Sequence, residues 1–140
     1  MSPAPKLTFT KIILGSSALL LALGGLSMTF FPQELSGWFG LPDEPAVALL
    51  AQIIGAMYFG FAMMNWMSKS GLIGGVYKRP IVIANMAHFM MVGITLLKYA
   101  ITQKQLPESL WLLTVTYLVY AALYSFLLFR TPPQVKTTPG

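Results

Sequence analysis

Four apolar runs decide what this chain can become. They are residues 12–31, 46–67, 81–101 and 110–129, and none has a charged residue at its centre. A run of about 20 residues, rising 1.5 Å per residue, spans about 30 Å, the thickness of a bilayer's hydrocarbon core. A soluble domain of 140 residues has too little interior to hide this much apolar surface. Charged residues make up only 9% of the chain, against roughly 25% in an ordinary soluble domain. The expectation is one all-α domain, an integral membrane four-helix bundle over 12–130. Polar tails flank it at 1–11 and 131–140. The first run could be misread as a secretory signal, with Ala22-Leu23-Gly24 as a poor cleavage site. Its length and its glycine and serine content favour a retained helix over a secretory signal.

The connections carry the charge. Lys6, Lys11, Lys69, Lys78, Arg79, Arg130 and Lys136 belong to the N-terminal segment, the second connection and the C-terminal segment. Only Lys98 and Lys104 accompany the other two connections. By the positive-inside rule this split places both termini in the cytoplasm. All four acids, Glu34, Asp43, Glu44 and Glu108, fall on the opposite side. The net charge of +5 is thus a topology signal and no mark of nucleic-acid binding, because the cations share no polar face. The first connection, 33–45, carries Trp38 and Phe39 and reads as an interfacial helix or turn, with Asp43 placed to cap the next helix. The second connection, 68–80, has Gly71, Gly74 and Gly75 beside cations. It lacks Walker spacing and a preceding strand, so Lys69, Lys78 and Arg79 read as holders of lipid headgroups. Leu72, Ile73, Val76 and Tyr77 would dip into the interface.

Within the runs, small and polar residues fall into stripes. Gly15, Ala18, Ala22, Gly25 and Thr29 recur at steps of three and four, a seam that another helix can approach closely. That seam serves the bundle itself or a homo-oligomer. Ala56 and Gly60 offer a second small-residue contact. Asn85, His88, Val92, Thr95 and Tyr99 form the most polar stripe of the chain. Tyr117, Tyr120 and Tyr124 share a face with Thr114, and Tyr58 shares one with Asn65. Asn65 and Asn85 lie near the same membrane edge on adjacent spans, so they can meet. His88 lies about 12 Å deep.

These residues admit two readings. In one, Asn65, Asn85, His88, Tyr58, Tyr117, Tyr120 and Tyr124 form a polar pocket between the second, third and fourth spans. Such a pocket suits the head of a quinone, a sterol-like molecule or an isoprenoid. In the other, the same groups bond to one another and to backbone and hold the helices together. Desolvation favours a neutral imidazole at His88, with Asn85 as its nearest partner and a tyrosine as the next.

Several chemistries are disfavoured. There is no cysteine, which removes disulfide and thiolate chemistry. No carboxylate lies within the membrane to orient His88 for nucleophilic catalysis. One histidine is a poor start for a haem or metal site, and the nine methionines read as packing rather than a copper path. Small multidrug transporters need an embedded glutamate that this chain lacks.

Asn65-Trp66, then Gly74-Gly75-x-Tyr77-x-Arg79-Pro80-Ile81, then Asn85-x-x-His88-Phe89 resembles a group of small bacterial four-span proteins similar to the broad DoxX-like class. The local match covers about 25 residues. The resemblance implies an inner-membrane location, and some members of that class are subunits of quinone-linked oxidoreductases. No catalytic residue carries over. The expected function is a non-enzymatic accessory or lipophile-binding protein among membrane lipids, with a homo-oligomer or a membrane partner as company. The alternative is a quinone-linked oxidoreductase subunit. Residues alone name no cofactor.

Overall fold

The computed structural model describes residues 5–70, 78–103 and 105–130, with side chains from Thr8 onward. It is all-α: α1 (Pro5–Phe30), α2 (Pro32–Trp38), α3 (Pro45–Ser70), α4 (Lys78–Thr102) and α5 (Glu108–Arg130). The four long helices carry windows apolar enough to cross a membrane, which makes this a small integral membrane protein. Each runs past its apolar run. The 26 residues of α3 measure about 39 Å, so its ends emerge among the headgroups. Residues 5–11, read from the sequence as tail, are already helical. Gly71, Leu72, Ile73, Gly74, Gly75, Val76, Tyr77 and Lys104 lie outside the described residues, as do both chain ends.

Up-and-down threading gives the bundle two unlike ends. Lys11, Lys69, Lys78, Arg79 and Arg130 gather at one, the basic end; Glu34, Asp43, Glu44 and Glu108 gather at the other, the acidic end. The long cations use their stems as much as their charge. The Lys69 stem lies over Gly15, and its ammonium sits 3.7 Å from the centroid of the Trp66 ring. Arg130 lies over Phe126 in the same way, at 4.4 Å.

The helices associate as two consecutive hairpins. α1 packs closest on α3, and α4 on α5, while backbone approaches between the two pairs are few. The sequence suggests α3 and α4 as the close neighbours. Instead, glycine decides which backbones touch. A Cβ on Gly25 would lie 2.7 Å from the Gly55 carbonyl oxygen and 2.9 Å from the Phe59 amide nitrogen. A Cβ on Gly55 would lie 2.7 Å from both the Gly25 oxygen and Thr29 Oγ1. The stripe on α1 is therefore a seam with α3. In α4, a Cβ on Gly93 would come within 3.2 Å of Leu118 and 3.6 Å of its amide nitrogen, so α5 lies close there too. The partner contact on α3 is Gly55, and the Ala56–Gly60 pair expected there is exposed, with nothing within 4 Å of a Cβ on Gly60. A shift of one position turns a helix by about 100°, which is enough to exchange a packed face for a lipid face.

The connection after α1 is the short helix α2, tied to the start of α5 by Ser109 Oγ donating to the Trp38 carbonyl at 2.7 Å. Trp38 itself is exposed, as an interfacial tryptophan should be. Gly40, at φ +66°, lets the chain leave α2 in the left-handed region. The first backbone bond of α3 runs from Ala48 N to the Glu44 carbonyl. Glu44, rather than the expected Asp43, thus holds the cap position.

Candidate functional site

The interior of the bundle has three levels. Nearest the basic end, each long helix contributes one polar residue to a single network: Ser17 from α1, Asn65 from α3, Asn85 from α4 and Tyr124 from α5. All four are 0% exposed. Asn85 Nδ2 donates to the Ile81 carbonyl at 2.9 Å and to Asn65 Oδ1 at 2.6 Å. A carbonyl can only accept, so this bond fixes which way the Asn85 amide faces, and through it the Asn65 amide. Asn65 Nδ2 returns a bond to Asn85 Oδ1 at 2.7 Å and gives its second proton to Ser17 Oγ at 3.1 Å. Ser17 donates to the Leu14 carbonyl at 3.1 Å, so the 2.6 Å contact between Ser17 and Tyr124 is donated by the phenol. Every proton then has an acceptor. In lipid an unpaired group at this depth is costly, and interhelical bonds of this kind contribute about 0.6 kcal/mol each.

The middle level is aromatic. Phe89, 0% exposed, stacks on Tyr124 at 5.6 Å and on Tyr120 at 5.0 Å. His88 sits beside it in a ring of π-systems. Phe61 is stacked at 5.0 Å, Tyr58 stands edge-on at 5.1 Å, and Tyr117 is tilted at 5.9 Å. The His88 Nε2 atom is buried and has no hydrogen-bond partner. The partner suggested by the sequence, Asn85, has both amide protons committed to Asn65 and Ile81, and its oxygen accepts from Asn65. The tyrosines surround the imidazole through their rings.

The third level, toward the acidic end, is hollow. A cavity of about 530 Å³ lies between the two hairpins, with α2 and Leu41 at its rim. Its wall is almost wholly hydrocarbon. Val92, Thr95 and Tyr99, the outer part of the α4 polar stripe, line it, and Thr95 turns its hydroxyl back onto the Met91 carbonyl at 2.8 Å. Tyr58 and Tyr117 line it as well, nearest the middle level. A second space of about 260 Å³ lies between α2 and α3 and shares Met28, Leu35, Phe39, Leu41 and Ile54 with the first.

The structure thus divides the seven residues singled out for ligand binding. Asn65, Asn85 and Tyr124 belong to the network, Tyr120 to the aromatic stack, Tyr58 and Tyr117 to the cavity wall, and His88 to the layer between. Ser17 and the cavity itself went unnoticed in the sequence. A serine inside an apolar run usually bonds its own helix, as Ser16 does to Ile13, and gives no sign of a distant partner. Among the described residues no three of His, Asp and Glu gather to hold a metal ion. No family model matches the chain, and no curated protein or solved structure matches it either. Fold and interior define its class: a small four-span membrane protein with a polar tie at one end and an apolar hollow at the other.

Proposed function

We propose that this protein is a non-enzymatic binding or accessory protein of a bacterial inner membrane that holds a lipophilic small molecule. The observation that carries the reading is the cavity between the hairpins. At about 530 Å³ it falls within the range of small-molecule sites, roughly 300–1,000 Å³, and its wall is apolar with a few convergent hydroxyls. The catalytic groups one would look for in a hydrolase or transferase are not among its lining residues.

The charge asymmetry supports an orientation with the basic end in the cytoplasm, where Lys69, Lys78 and Arg79 meet anionic headgroups. Reporter fusions at Gly40 and Lys104 should then read periplasmic and one at Gly74 cytoplasmic. A cytoplasmic signal at Lys104 would overturn that orientation.

Binding is tested by gentle extraction, purification, and mass spectrometry of the lipids that remain with the protein. Wild type should retain one lipophile in near-stoichiometric amount. Gly24→Leu should lose it, because a side chain at Gly24 meets only Tyr58, at 3.8 Å, and otherwise grows into the cavity. Bulk phospholipid alone, in the same amount for both proteins, refutes the reading. The alternative, a subunit of a quinone-linked oxidoreductase like some members of the DoxX-like class, uses the same cavity. Its specific support is the pair of phenols, which can donate to a ring carbonyl. It requires the retained molecule to be redox-active and to absorb in the near ultraviolet.

A further inference from the structure

Among the described residues two buried side-chain atoms lack a hydrogen-bond partner, Ser68 Oγ near the basic end and His88 Nε2 beside the cavity wall. The network satisfies Ser17, Asn65, Asn85 and Tyr124, and Thr114 and Thr95 turn back onto carbonyls four residues earlier. Leaving a buried nitrogen unpaired is destabilising, and phenylalanine would fill the same aromatic ring at no such cost. The imidazole also has a position that links it to the cavity. Tyr58 and Tyr117, its edge-on and tilted neighbours, are both cavity-wall residues, whereas the rest of the wall nearby is Val92, Leu96, Leu20 and Leu113. Tyr58 and Tyr117 on the wall, with His88 packed against both rings, therefore lie together at the inner end of the hollow. No charged side chain lines the cavity, so an ionised head would be buried there without a counter-ion.

We infer that Tyr58, Tyr117 and His88 form a head site at the inner end of the cavity, for a lipophile whose head is a single uncharged oxygen group, a hydroxyl or a carbonyl. This rests on the cavity binding a lipophile at all. The hydrocarbon tail lies along the apolar wall toward α2. The Tyr117 hydroxyl donates toward Tyr58, which leaves the Tyr58 proton to donate to the oxygen. A neutral imidazole donates at one nitrogen and accepts at the other, so Nε2 takes the proton of a hydroxyl head or gives one to a carbonyl head. The phenols stand between Nε2 and the cavity, so the head reaches it only as they turn aside.

His88 is the only histidine of the chain, so ¹⁵N-histidine labelling of protein free of any histidine tag gives one imidazole to watch. Methyl-labelled Met28, on the cavity wall, reports occupancy independently. The probes are dodecan-1-ol, 2-dodecanone and dodecane, added to protein in nanodiscs. All three should shift the Met28 methyl. The alcohol, the ketone or both should also move the Nε2 resonance, and which of them does so identifies the nitrogen as acceptor or donor. Dodecane should leave it in place. Gly24→Leu should abolish every shift. His88→Phe should keep the protein folded and at least as heat-stable as wild type, while preference for the oxygen-bearing probes over dodecane is lost. If the three probes bind equally and Nε2 never moves, the head site is refuted while the cavity reading stands. If none shifts Met28, both fall. If His88→Phe unfolds the protein, His88→Gln takes its place, and unchanged preference in that variant refutes the site.

Discussion

The two halves of this bundle are held together by different means. In the basic half the hairpins are joined to each other through side chains: Asn65 to Asn85, and Ser17 to Tyr124. In the acidic half the closest contacts lie within hairpins, backbone on backbone at Gly25 and Gly55 and again at Gly93. Where bonding runs between hairpins, the interior is closed and every donor in the network is used. Where it runs within them, the hairpins stand apart and a hollow remains. A four-helix membrane protein thus makes space by moving its cohesion from between the hairpins to inside each one.

The largest effect should come from the seam. Gly25→Leu places its first side-chain carbon 2.7 Å from a backbone oxygen that cannot move aside alone, so α1 and α3 must separate. A loss of about 1–3 kcal/mol or more is expected, read as a fall in melting temperature in detergent. Leu19→Ile, on the lipid face, is the control. Equal melting of Gly25→Leu and wild type would show that backbone contact does not hold the acidic half.

Next in size is Asn65→Leu, which strands the Asn85 amide and costs about 1–3 kcal/mol. The double variant Asn65→Leu/Asn85→Leu should cost less than the two single changes added together, because neither carboxamide is left facing a lost partner. Additive costs would break the comparison, since the basic half would then be held by packing alone.

Tyr124→Phe is gentler. Ser17 keeps its bonds to Leu14 and Asn65, and the ring keeps its place on Phe89, so the loss should be about 0.6 kcal/mol. Lipid content should not change in this variant or in Asn65→Leu. The smallest effect on stability belongs to Gly24→Leu, near zero, although it should empty the cavity of its occupant. If the network variants lost the lipophile and the cavity variant lost stability, the division of labour between the halves would be the reverse of the one drawn here.

Much of this was legible in the residues. The spans follow from run length, and the α1 seam from small residues at steps of three and four. Of the polar α4 stripe only the inner part is closed in, with Asn85 buried and His88 half-buried, while Thr95 and Tyr99 line the open hollow and stay exposed. The meeting of Asn65 and Asn85 follows from their nearness to the same membrane edge on adjacent spans. What stayed hidden depended on rotation and on empty space. Gly55 differs from Ala56 by one position, and nothing in composition says which of the two meets Gly25. A hollow has no residues of its own, so the leucines and valines around it read like those of a filled core. The solitude of His88 was equally invisible, because Asn85 looks available until Ile81 and Asn65 are seen to occupy it.

The reciprocal carboxamide bond between the hairpins has a mechanical consequence. It ties them at the basic end, and Ser109 Oγ on the Trp38 carbonyl ties α5 to α2 at the acidic end, so the hollow lies between two polar clamps. From Asn85 to Tyr99 is about 21 Å along α4, so a tilt of roughly 5° about the carboxamide pair would move the far end by about 2 Å and break the Ser109 bond. Widening the hollow therefore costs a hydrogen bond, and the breadth of molecule it accepts is set by those two clamps rather than by the hydrocarbon wall alone.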